Sequence, residues 1–192
     1  TFKKRYVVEN QKLFRVSKLN DHLLDKTIEK KFIEKLEDIA PNVDGVVVSD
    51  FVYGVITPNI IKRIIELSRN YKFRIFGDIQ CSSQVGLVTK FKNFTLLCPN
   101  EKEARIALQD KESGLEALAQ KLFKKTNCMR LVMKLGANGL IAYDKSLKKM
   151  NTQSFPALST NPIDVSGAGD SLLSVMAVGL ACKESMMVSA AI

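Results

Sequence analysis

Apolar and polar positions alternate along the chain in a way that marks out short strands and amphipathic helices. Tyr6-Val7-Val8 and Leu13-Phe14-Arg15-Val16 read as two short strands around the polar Glu9-Asn10-Gln11, an edge hairpin. From Leu24 to Ala40, Ile28, Phe32, Leu36 and Ile39, with Ile33 beside them, recur at helical spacing until Pro41 stops the run. Val46-Val47-Val48 is a continuous apolar run, as in a strand covered on both faces, and it ends in Ser49-Asp50-Phe51. Thr57-Pro58 opens a helix, Thr as cap and Pro in the first turn, whose buried face is Ile60, Ile61, Ile64, Ile65 and Leu67.

Phe73 to Asp78 is the next strand, followed by a polar connection from Cys81 to Lys92 and a strand at Thr95–Cys98. Pro99-Asn100 closes that strand, and Glu101–Leu108 turns into a helix. Asn100 with Glu103 three residues on has the form of a capping box, and equally sets two polar groups one turn apart at a sheet edge. Leu115, Leu118, Ala119, Leu122 and Phe123 predict a further helix. Leu131-Val132-Met133 and Leu140–Tyr143 are strands around Gly136-Ala137-Asn138-Gly139, and Met150–Leu158 is another. The Gly136–Gly139 turn reads either as an ordinary glycine hairpin or as backbone able to approach a phosphate. Strands alternate with helices up to residue 135 and then follow one another. That order predicts an α/β fold with a mostly parallel sheet, and Asp50 and Asp78 both end strands, where each either caps the following turn or stands at the edge where ligands gather in such sheets.

The last element carries the sharpest chemical signal. Asp164-Val165-Ser166-Gly167-Ala168-Gly169-Asp170-Ser171 runs directly into the apolar stretch Leu172–Leu180, a buried helix by its pattern. Gly167, Ala168 and Gly169 would form the helix N-terminus, where free N–H groups and the dipole favour an anion. Asp170 would stand beside that site. A carboxylate next to an amide cradle suits phosphoryl transfer to a hydroxyl: the acid accepts the proton and the amides hold the moving charge. Taken alone, the motif reads as well as a glycine-rich lead-in to a core helix. No Gly-Lys-Ser/Thr follows, so it is not a P-loop.

Composition narrows the classes. At 192 residues and 46% hydrophobic the default is one soluble globular domain, and no apolar run reaches the ~18 residues of a membrane span. The net charge of +9 comes as scattered doublets (Lys3-Lys4, Lys30-Lys31, Lys124-Lys125, Lys148-Lys149) rather than one stripe, which argues against nucleic acid and leaves some benefit for anionic substrates. The four cysteines are dispersed without metal-ligand spacing, and a Cys-His pair or Ser-His triad would have to use the single histidine, His22, around which nothing suggests one. The cysteines read as reduced thiols of a cytoplasmic protein.

Together the pieces resemble the PfkB, or ribokinase-like, family of carbohydrate kinases. Ser49-Asp50-Phe51 through Gly54 and Thr57 is similar to the family's Ser-Asp-Tyr stretch, and Asp78 falls where the family ends a strand with Asp. Asn100-Glu101-Lys102-Glu103 carries its Asn-x-x-Glu, Leu135-Gly136 with Gly139 its Leu-Gly-x-x-Gly turn, and Asp164–Asp170 its Asp-Thr-x-Gly-Ala-Gly-Asp signature. Arg15, in a Gln-x-Leu-x-Arg-Val-like setting, resembles most the heptose-phosphate kinases of the ADP-heptose synthase type.

The resemblance implies a three-layer α/β/α fold over residues 1–192, a partial kinase domain whose substrate and lid segments would precede Thr1 and whose adenine pocket would continue after Ile192. It implies transfer of the γ-phosphoryl group of ATP, with Mg²⁺, to a sugar or sugar-phosphate hydroxyl, in a cytoplasmic enzyme compatible with a homodimer and without membrane or nucleic-acid partners. Asp170 would be the base and the amides of Gly167, Ala168 and Gly169 the anion hole. Asn100 and Glu103 would lie near the ATP phosphates, Glu103 toward Mg²⁺ through water. Lys134, Gly136 and Gly139 would line the nucleotide path, with Asp50, Asp78 and Arg15 in the vicinity of substrate or phosphate. Tyr53 stands where many relatives have Lys, Gln80 where a basic residue is common, Ser166 where Thr is frequent and Lys134 where Thr or Ser is frequent. The first two departures motivate an alternative: a sugar- or nucleotide-binding module of the same fold without turnover.

Overall fold

The computed structural model describes residues 2–9, 11–81, 84–147, 149–159 and 167–192. Asp164, Val165 and Ser166 of the signature lie outside the described residues. The chain opens with an antiparallel hairpin, β1 (Phe2–Val8) and β2 (Gln11–Lys18), which forms a two-stranded sheet of its own. Phe2, Val7, Val8, Leu13, Phe14 and Val16 remain exposed on it.

A second sheet has six strands in sequence order: β3 (Gly45–Asp50), β4 (Arg74–Ile79), β5 (Leu96–Leu97), β6 (Arg130–Lys134), β7 (Leu140–Asp144) and β8 (Asn151–Phe155). β3 to β6 pair in parallel, and β7 and β8 join antiparallel. The sheet is therefore mixed: α-helices cross from β3 to β4 and from β5 to β6, a loop with one 3-10 turn (Val88–Lys90) crosses from β4 to β5, and short connections join the antiparallel half.

Helices α1 (Lys26–Ile39), α2 (Pro58–Tyr71), α3 (Glu101–Leu108) and α4 (Leu115–Thr126) precede α5 (Ala168–Ala181) and α6 (Met186–Ala191). The strands alternate sides, as the period of two demands. Ile75, Ile79, Leu97, Leu131 and Met133 pack with Ile60, Ile64, Leu118 and Leu122 on one face. Phe76, Leu96, Val132 and Ala142 pack with Leu173, Met176 and Leu180 on the other. Two cores on opposite faces of one sheet make the three layers.

Local chemistry sets the helix starts. Thr57 accepts from the Ile60 amide, with Pro58 in the first turn of α2. At α3 both halves of the capping box form: Asn100 Oδ1 accepts from Glu103 N and Glu103 Oε2 from Asn100 N, each at 2.8 Å. Gly54 has φ +84°, and a Cβ there would come within 2.0 Å of the His22 carbonyl oxygen, so glycine is required where the segment after the hairpin crosses the β3–α2 loop.

Three readings are corrected. Val47 is 46% exposed, because β3 is the outer strand of the sheet among the described residues. The helix at 172–180 is covered on one face only: Val175 and Val178 are exposed while Leu173, Met176, Ala177 and Leu180 are buried. The connection after Cys81 is not simply polar, since Val88 and Phe91, together with Phe94 just beyond it, are fully buried and the two phenyl rings lie 4.9 Å apart.

Candidate active site

The carboxyl ends of β4, β5 and β6 and the N-terminus of α5 converge on a cleft of about 580 Å³. Asp170, Gly167, Gly169, Asp78, Asn100, Glu103 and Lys134 line it, joined by Arg5, Phe51, Gln80 and Cys81. Gly167 caps α5 with φ +81°, and a Cβ there would meet nothing within 4 Å among the described residues. Ala168 is the first residue of that helix. Asp170, in its first turn, is exposed to the cleft rather than turned into the core. Its Oδ1 accepts a 2.7 Å hydrogen bond from Gln80 Nε2, the residue that follows β4.

Beneath the glycines lies a charged pair. Lys134 Nζ donates to Asp78 Oδ2 at 2.7 Å, and the position a Cβ on Gly169 would take is 3.3 Å from that ammonium. Asp78 has no exposed surface, and its Oδ1 has no hydrogen-bond partner among the described residues. Burial pushes its carboxyl up to about 6, against the pull of Lys134 and with a further push from Glu103. An unpaired buried carboxylate oxygen costs free energy unless something satisfies it. Glu103 is also buried; its second oxygen, Oε1, faces the Cys81 amide at 3.5 Å. Asp78 and Glu103 are close enough to interact electrostatically, but among the described residues no group of three or more His, Cys, Asp or Glu forms a metal cage. Burial raises the Cys81 thiol, which disfavours the reactive thiolate.

Not every predicted residue reaches the cleft. Asp50 is turned inward: its Oδ1 accepts from the Val52 amide at 2.9 Å and its Oδ2 pairs with Lys90. Arg15 sits directly across the hairpin from Arg5, and it is Arg5 that lines the cleft. Gly136 borders an adjoining groove of about 1050 Å³, which shares Asn100 and Lys134 with the cleft and also carries Lys102, Arg105 and Lys111. Gly139, at φ +81°, packs on the end of β8, where a Cβ would be 2.0 Å from the Phe155 carbonyl oxygen. Arg5 was missed from the sequence. Its alternation with Lys3 on one strand was the available signal, because Lys3 lies over the rings of Phe51 and Tyr53 at 5.5 and 4.6 Å.

The pfkB family carbohydrate kinase model matches residues 4–191, almost the whole chain. The chain belongs to the pfkB family. Similar family members include the bifunctional protein HldE of Geobacter metallireducens, 27% identical over 184 residues, and that of Campylobacter jejuni, 31% identical over 185. Each alignment covers 94% of this chain, and the chain spans only 36% and 37% of those proteins. Among solved structures, phosphofructokinase-2 from Escherichia coli in complex with substrates and products has a TM-score of 0.77 at 18% identity, over 98% of this chain and 60% of that one. Ribokinase from Arabidopsis thaliana complexed with ribose and ATP gives 0.62 at 18% identity, over 88% and 50%. The ribokinase-like fold expected from the motifs is the one observed.

Proposed function

We propose that this chain forms the phosphoryl-transfer part of an ATP- and Mg²⁺-dependent sugar or sugar-phosphate kinase, with Asp170 as the base. The observation that carries the reading is the exposed Asp170 carboxylate, set in the first turn of α5 in a cleft it shares with Asp78, Asn100, Glu103 and Lys134. The residues fit Mg-ATP: among the described residues nothing covers the helix end at Gly167, and Lys134 stands under Gly169. ATP would supply the electrophilic γ-phosphoryl group.

In this reading Asp170 accepts the proton of the sugar hydroxyl as the oxygen attacks. The amides at Gly167, Ala168 and Gly169 steady the negative charge, aided by Lys134. Asn100 and Glu103 would hold the phosphate end, and Glu103 would hold Mg²⁺ through water. That mode suits an ion which keeps most of its hydration shell and uses one or two carboxylates. Gly136 borders the path of the nucleotide, and Gly139 sets the shape of that turn.

The hairpin bears on the acceptor. Tyr53 and Gln80 carry no cation, but Lys3 and Arg5 of β1 bring positive charge to the same neighbourhood. An anionic sugar, such as a heptose phosphate, suits that charge. The exposed apolar residues of β1 and β2 suit a second copy of the chain, so a homodimer joined there accompanies the proposal, as does a cytoplasmic location where ATP is supplied. No helix among the described residues is long and apolar enough to cross a membrane.

Asp170→Asn in the intact protein tests the assignment. It should preserve the fold and ATP binding and reduce kcat by about 10²- to 10⁴-fold, the usual range for a positioned base. Undiminished turnover would remove Asp170 from that role. The second reading, a binding module without turnover, is favoured by one observation: the candidate base is already engaged by Gln80. Transfer of phosphate from ATP across a panel of sugars and sugar phosphates separates the two.

A further inference from the structure

We propose that Gln80 is a positioning residue that orients the Asp170 carboxylate for proton transfer; this rests on the kinase reading above. Asp170 is surface-exposed in the first turn of a helix, where a short carboxylate is free to rotate. Gln80 Nε2 donates to Oδ1 at 2.7 Å, which restrains the torsion of the group and leaves Oδ2 to take the proton. The two residues are 90 positions apart, so the contact is a product of the fold rather than of local sequence.

Gln80 is itself firmly held. Its backbone amide donates to the Asp50 carbonyl at 2.8 Å, continuing the β3–β4 ladder by one residue. Two positions earlier on the same strand, Asp78 holds Lys134 beneath Gly169. The end of β4 thus meets α5 at two successive residues, 169 and 170. The amide donor also suits the task chemically. A lysine or arginine at position 80 would tie the carboxylate into an ion pair and make it a poorer proton acceptor, whereas a neutral N–H fixes direction at less expense of basicity.

The test uses the intact protein and two variants of the same shape. Gln80→Leu removes the donor; kcat should fall about tenfold to a hundredfold, the scale of a misplaced reacting group, while the KM values for ATP and sugar stay within about twofold. Gln80→Glu keeps the side-chain form and sets a second carboxylate against the first, so its loss should exceed that of Gln80→Leu. A role confined to packing predicts the reverse order. In an Asp170→Asn background Gln80→Leu should add no further loss, because the two residues act as one unit. Wild-type kcat in Gln80→Leu, a milder Gln80→Glu, or full additivity with Asp170→Asn would each overturn the assignment while the kinase reading stood. Absence of phosphate transfer to any sugar by the wild-type protein would overturn both.

Discussion

Asp78→Asn isolates the cost of holding a carboxylate under the candidate anion cradle. In the unfolded chain this acid titrates near 3.8, and in the fold burial moves it to about 6. Between those values the folded protein keeps a proton that the unfolded chain has released. Stability contributed by this group therefore falls as pH rises from about 4 to about 6 and is level above that. A shift of about two units corresponds to about 3 kcal/mol. The variant cannot titrate, and Lys134, whose side chain is 18% exposed, keeps contact with water when its partner becomes neutral. Urea unfolding of both proteins at pH 4, 5, 6 and 7 gives the difference directly, because other titrating groups cancel. The wild type should lose about 2.5 kcal/mol relative to Asp78→Asn across that window, since part of the shift is already spent at pH 4. A flat difference would refute the burial argument. A difference of opposite sign would mean that attraction to Lys134 outweighs desolvation.

Other substitutions probe the remaining links. Arg5→Ala should raise KM about tenfold or more for a phosphorylated sugar and leave an uncharged one unchanged, the scale of a lost hydrogen bond to a charged group, as steady-state kinetics on the two substrates would show. Asn100→Ala removes the side-chain half of the α3 cap, the bond from the Glu103 amide to Oδ1, and should cost about 1 kcal/mol, a fall of roughly 2–4 °C in Tm by calorimetry. Gly167→Ala meets no neighbour among the described residues and should cost only the backbone strain of its positive φ, about 1 kcal/mol. Gly54→Ala must displace the His22 carbonyl and should be the more destabilising of the two when their urea midpoints are compared.

What the sequence disclosed depended on how local the cause was. Thr57-Pro58 and the Asn100/Glu103 pair announce helix starts because a cap bonds within three residues. The pattern of 131–133 announced a strand because its side chains simply alternate between two cores. Asp170 could be picked out because its neighbours are glycines at a helix start. Its engagement by Gln80 could not, since it joins residues from distant elements. The same holds for Asp78 and Lys134, separated by 56 positions. Asp50 shows the converse error. Its place at a strand end resembled that of Asp78, but Lys90, arriving on the connection after β4, claims its carboxylate. Val88 and Phe91 escaped notice because isolated apolar residues in a polar segment carry no periodicity.

Lys134 is gripped at two points, its main-chain nitrogen by the Pro99 carbonyl at 2.9 Å and its ammonium by Asp78. One residue thereby rivets the tips of three neighbouring strands into a common ledge. Sideways drift of one tip is transmitted to the other two, and the floor under a bound phosphate moves as one piece or not at all.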